Sequence, residues 1–99
     1  MASTPEKKVK DKIVKVLKEE GVYYFFPATH GFGRSGVPDI VCCVNGYFFA
    51  IEVKAGTNKP TTLQVREIEA IRRCNGVAVV ANDENWDMVR GLVRMLKEQ

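Results

Sequence analysis

Asn45-Gly46 lies between two apolar runs, residues 39–44 and 47–54, and no other feature of the chain constrains its fold as strongly. An Asn-Gly pair suits the two positive-φ positions of a tight hairpin turn. With these two at the centre of the turn, Val44 pairs with Tyr47, and Asp39 stands across from Glu52. Directly opposed side chains lie roughly 5 Å apart at Cβ. Side chains alternate along a strand, so Glu52 and Lys54 share one face and Phe49, Ile51 and Val53 form the apolar other.

Two carboxylates at that separation repel each other, and a fold keeps them only if something offsets the repulsion. A divalent cation does so, and Mg²⁺ commonly takes one or two carboxylates plus substrate phosphate. Lys54 is expected at the same site, where it can orient a water or stabilise charge on a phosphate. The competing reading is a salt-bridge cluster on a strand surface, which contributes little to stability.

The rest of the chain builds an α/β frame around the hairpin. Residues 6–20 read as a helix with Pro5 at its start, Gly21 at its end and an apolar stripe of Val9, Ile13, Val16 and Leu17. Glu6 falls on that inward stripe. It is either a carboxylate with a partner or a first-turn acid favoured by the helix dipole. Residues 22–26 read as a strand and 29–38 as a polar, Gly-rich loop. Residues 61–74 read as a second helix with Leu63, Ile68 and Ile71 inward, and Asn75-Gly76 stops it. Residues 77–81 form a continuous apolar run, expected to be a strand covered on both faces. A last helix over residues 86–97 is anchored by Trp86, with N-caps offered by residues 82–85. The order α-β-β-β-α-β-α predicts a mixed central sheet with helices packed on it. The 99 residues suffice for a single domain, with residues 1–5 expected to be a loose tail.

Composition narrows the function classes. Apolar residues make up 45% and charged residues 27%, an ordinary globular balance. No apolar run reaches the ~20 residues that a bilayer span requires. The N-terminal segment lacks the apolar core of a secretory signal, so the chain is expected in the cytoplasm. Cys42, Cys43 and Cys74 have neither the number nor the spacing for a disulfide framework or a structural zinc site, and are expected to be reduced and mostly buried. The net charge of +3 is mildly suggestive of a polyanionic partner, more so if a metal takes up some of the acids.

Several residues are candidates for that partner. Gly31, Gly33 and Gly36 let the backbone of the loop approach a phosphate, with His30, Arg34 and Ser35 beside them. Lys59, Arg66, Arg72 and Arg73 are either phosphate contacts or solvated helix charges. Tyr23, Tyr24, Phe25 and Phe26 are expected in the core rather than on a base-stacking surface. Thr61-x-x-Gln64 has the form of a capping box, which would fold Gln64 back onto the helix start.

Pro38-Asp39 followed by Glu52-Val53-Lys54 on adjacent strands resembles the PD-(D/E)XK nuclease motif. With Glu6 opening the first helix, Gly21 closing it, the block Gly33-Arg34-Ser35-Gly36-Val37-Pro38-Asp39, and Thr61-Thr62-Leu63-Gln64 opening the second helix, nearly the whole chain is similar to the VRR-NUC (virus-type replication-repair nuclease) domain in its small, standalone, phage-type form. The resemblance implies a restriction-endonuclease-like α-β-β-β-α-β core with a C-terminal helix, and an Mg²⁺- or Mn²⁺-dependent DNA endonuclease. It implies metal ligation by Asp39, Glu52 and the Val53 backbone carbonyl, with Glu6 as an accessory acid acting directly or through water. Lys54 and Gln64 would stand at the catalytic centre. Standalone members are similar to Holliday-junction resolvases, which implies branched DNA and a homodimer in a bacterial or phage-infected cell. The apolar surplus in Tyr47, Phe48 and Phe49 and in Val89, Leu92, Val93, Met95 and Leu96 fits a dimer or, alternatively, the covering of a monomer's own sheet. A non-catalytic nucleic-acid-binding module on the same fold is the alternative, and a non-nuclease interaction protein a third.

Overall fold

In the computed structural model, which describes residues 4–28 and 33–99, a four-stranded sheet carries helices on both faces. Thr4 opens helix α1 (Pro5–Glu19), its hydroxyl accepting the Lys7 N–H, and Pro5 takes the first turn, where a missing N–H costs nothing. Residues 4 and 5 therefore build the helix start rather than a tail. Strands β1 (Tyr23–Phe25), β2 (Ile40–Val44) and β3 (Tyr47–Val53) run antiparallel in sequence order. Helix α2 (Thr62–Arg73) crosses to β4 (Val77–Ala81), which pairs parallel to β3, and α3 (Met88–Lys97) closes the chain.

The hairpin has the register that its turn dictates: Val44 pairs with Tyr47 and Ile40 with Ile51. Asn45 and Gly46 both take positive φ, 52° and 83°, as a tight primed turn requires. The Asn45 side chain also donates to the carbonyls of Leu96 and Gln99, so the turn caps the end of α3.

The main core lies between the sheet and the α1/α3 layer. Val9, Ile13, Val16 and Leu17 of α1 and Val89, Val93 and Leu96 of α3 meet Ile40, Cys42, Phe49, Ile51 and Val53. Phe49 is fully buried, and truncating such a side chain costs about 3–5 kcal/mol. A second, smaller cluster of Ala50, Ala78 and Ile68, with Ile71 and Val80 packed on it, holds α2 to the opposite face. Glu19 and Glu20 at the end of α1 bind Arg90 and Arg94 of α3, tying the two helices together at the surface.

Several sequence-based expectations are corrected. β4 is covered on both faces as expected, Val77, Val79 and Ala81 packing on the α1/α3 side and Ala78 and Val80 on the α2 side, but it is an edge strand and only Ala78 and Ala81 are fully buried. Leu63 is exposed, because α2 presents only Ile68 fully to the sheet. Cys43 and Cys74 are exposed, and only Cys42 is buried. Tyr23, Phe25 and Phe26 are also exposed, since β1 is the other edge and α2 contacts the far side of the sheet. Asn82 caps the turn that follows β4, accepting from Glu84 and Asn85, whereas α3 starts later, behind Asp87.

Candidate active site

Asp39 immediately precedes β2, and the hairpin register carries it across from Glu52. Its Oδ2 accepts the Val53 N–H at 2.8 Å, fixing the carboxylate against the end of β3. Glu52 is only 2% exposed and is the one charged residue that is buried among the described residues. Lys54 Nζ stands 3.5 Å from Glu52 Oε2, while Glu52 Oε1 is buried with no hydrogen-bond partner among the described residues. Burial first, and the Asp39 charge second, push the Glu52 pKa up to about 7, against the opposing pull of Lys54.

A buried carboxylate oxygen without a donor is costly in a stable fold. Here it stands beside a second carboxylate. The donor set is hard oxygen, which fits Mg²⁺ or Mn²⁺ and not a thiolate-loving metal. Asp39 and Glu52 would hold such an ion. Among the described residues no three His, Cys, Asp or Glu side chains converge on one point. Glu6 is therefore not drawn into the Asp39–Glu52 pair; it is exposed, and lines with Asp39 and Val53 a cavity of about 460 Å³ at the start of α1.

The loop before Asp39 is fastened to α2. Gly36 has φ +77°, and a Cβ there would come within 2.7 Å of the Leu63 carbonyl carbon, so only glycine allows this close approach. Arg34 makes a two-bond pair with Glu67, 2.9 Å on each arm. Ser35 is exposed beside it, near Arg66. His30 lies outside the described residues. Lys59 and Arg66 are exposed. Arg72 bonds the Ala78 carbonyl through two nitrogens and so supports β4.

Gln64 closes the capping box of α2. Its Oε1 accepts the Thr61 N–H at 2.8 Å, and its own N–H donates to Thr61 Oγ at 3.2 Å. In this geometry its carbonyl oxygen serves the helix, which leaves the amide NH₂ as the group able to face a ligand.

The lysines of α1 were not among the candidate residues read from the sequence. Lys7, Lys10 and Lys18 line the cavity that holds Asp39, together with Tyr24 and Phe26. Nothing in their spacing links them to Asp39, and Tyr24 and Phe26 are expected in the core.

The fold and the carboxylate–carboxylate–lysine arrangement on adjacent strands define a PD-(D/E)XK nuclease-like domain. A sequence profile described as archaeal Holliday junction resolvase (Hjc) matches residues 6–99, and the chain belongs to that family. A solved structure described as a VRR_NUC domain protein superposes with a TM-score of 0.74 at 19% identity, over 99% of this chain and 92% of that one. A search of curated proteins found no match.

Proposed function

We propose that this protein is a divalent-metal-dependent endonuclease that cuts branched DNA. The observation that carries the reading is the buried, unpartnered Oε1 of Glu52 set across the hairpin from Asp39. Nucleic-acid binding alone gains nothing from two carboxylates turned toward a phosphate, which disfavours the non-catalytic alternative. Membership of a family described as Holliday junction resolvases supports a branched substrate.

Mg²⁺ or Mn²⁺, when bound, supplies a polarised phosphate oxygen and a more acidic water. Asp39 and Glu52 would hold it, with the Val53 carbonyl as a further oxygen at the same strand end. The Asp39–Val53 hydrogen bond limits the carboxylate's freedom, so its orientation is set before substrate arrives. Lys54 holds positive charge next to the ionising Glu52 and can receive charge developing on the phosphate. Glu6 faces the shared cavity, where it can act through a water. The Gln64 amide NH₂, which its cap leaves unused, is the proposed donor to the phosphate. Arg34, Ser35, Lys59 and Arg66, with His30, are proposed contacts to the DNA backbone.

Cutting two strands at paired positions calls for two centres related by a two-fold axis, so a homodimer is part of the proposal. The apolar residues first advanced for it divide. Phe49, Val89, Val93 and Leu96 are consumed by the chain's own core, whereas Tyr47, Phe48 and Met95 stay exposed. Phe48 joins Phe25, Val41 and Ile71 in an apolar groove of about 620 Å³ on the α2 face, which favours that face for the second copy.

Incubation of a four-way junction and a matched linear duplex with and without Mg²⁺ or Mn²⁺ tests the activity. Metal-dependent cutting of the junction is expected; no cutting under any condition overturns the reading. Light scattering of the protein, free and junction-bound, is expected to show a dimer, and a monomer in both states removes that part.

A further inference from the structure

The cavity at the start of α1 is not needed to hold Asp39 and Glu52, yet Asp39 forms part of its wall. Its walls come from α1, from the β1 end and from the Asp39–Val53 junction. Phe26, which follows β1, keeps 47% of its surface exposed, and Tyr24 meets it at a centroid distance of 5.9 Å and an interplanar angle of 51°. Lys10 Nζ stands 3.9 Å from the Phe26 ring centroid and makes no ion pair among the described residues. Lys7, by contrast, is tied to Asp11 at 3.0 Å.

A half-open aromatic ring beside an ammonium that makes no ion pair among the described residues offers the two contacts that single-stranded nucleic acid uses: the ammonium leaves the ring for a phosphate, and the ring face it uncovers takes a base. The volume of about 460 Å³ lies in the range of sites for small molecules and single nucleotides and is far too small to admit a duplex. The position adds the third argument. Asp39 lines this same cavity, so a nucleotide in it is joined to the phosphate at the carboxylate pair.

Resting on the nuclease reading above, we propose that this cavity receives one unpaired nucleotide adjacent to the cut phosphate, its base stacked on Phe26 and its phosphate on Lys10. Selectivity for branched over linear DNA then arises here: a junction or flap offers an unstacked nucleotide, while a continuous duplex must first break its own stacking to provide one.

The test measures DNA binding by the full-length chain in EDTA, by anisotropy, so that no cutting or metal is involved. The probes are a blunt duplex and the same duplex with a single-stranded flap that carries 2-aminopurine at its first unpaired position. Phe26→Leu, which keeps apolar volume and loses the stacking ring, is expected to weaken flap binding about tenfold and blunt-duplex binding less than twofold. Phe26→Tyr is expected to restore it. The 2-aminopurine signal is expected to change on binding to the wild type and the Tyr variant only. Lys10→Gln is expected to weaken flap binding and flatten its salt dependence. Unchanged flap binding in Phe26→Leu, or equal weakening of both DNAs, overturns the inference and leaves the nuclease reading standing. A wild-type protein that binds neither DNA in EDTA also overturns the inference, while the nuclease reading is decided separately by the cutting assay with metal.

Discussion

Asp39 and Glu52 face each other across the β2–β3 hairpin, one clamped to the Val53 N–H at 2.8 Å and the other buried with an oxygen that no group among the described residues satisfies. The repulsion and burial that make the pair costly to the fold are also what make it the proposed metal site. Folding shifts Glu52 upward to about 7 from 4.5, so over that interval the folded protein keeps a proton that the unfolded chain releases. Stability without divalent metal therefore falls as pH rises from about 4.5 to about 7, and levels off above. Glu52→Gln is expected to remove that slope and raise metal-free stability above pH 7 by about 2 kcal/mol, with cutting abolished. Urea unfolding across the range, with and without Mg²⁺, measures both effects.

Asp39→Asn keeps an oxygen that can accept the Val53 N–H but removes the charge. Cutting is expected to fall by at least about a hundredfold while the melting temperature holds or rises, since one of two repelling charges is gone. Full activity in this variant would sink the metal assignment.

Lys54 approaches Glu52 Oε2 at 3.5 Å and is itself largely covered. Lys54→Met is expected to lower kcat strongly with little change in DNA affinity, because the charge matters most where negative charge develops. Single-turnover rates beside anisotropy titrations separate the two; a loss confined to affinity contradicts the role.

The capping box gives Gln64 and Thr61 a shared structural role that a mutant pair can subtract. Thr61→Ala and Gln64→Ala are each expected to lower stability by about 1 kcal/mol. If Gln64 also serves the reaction, its variant loses cutting activity beyond the loss seen in Thr61→Ala at equal folded fraction. Matching activities in the two variants assign Gln64 to the helix alone.

Glu20 lies at the junction of α1 and α3, where the hydrogen bond from Arg94, helped by Arg90, holds its carboxyl down at about 2. Its contribution is present above the ordinary carboxylate value of 4.5 and fades as pH falls toward about 2. Glu20→Gln is expected to flatten this acid limb of the stability curve while leaving the limb that belongs to Glu52 in place.

Local chemistry determined much of this protein by itself. Asn45-Gly46 admits one tight turn, the turn admits one register, and the register alone puts Asp39 opposite Glu52. Thr61 and Gln64 likewise declare the start of α2 through hydrogen bonds that span three residues. What the tertiary structure decided is how much water each of these groups sees. Alternation along a strand assigns a side chain to a face but does not say whether a helix reaches over it. Glu52 is buried because β3 lies inside the sheet between β2 and β4, whereas Phe25 and Phe26 are half-exposed because β1 is an edge. The raised carboxyl of Glu52, the cavity that joins α1 to Asp39 and the open ring of Phe26 follow from that difference in cover, which depends on segments distant in the chain.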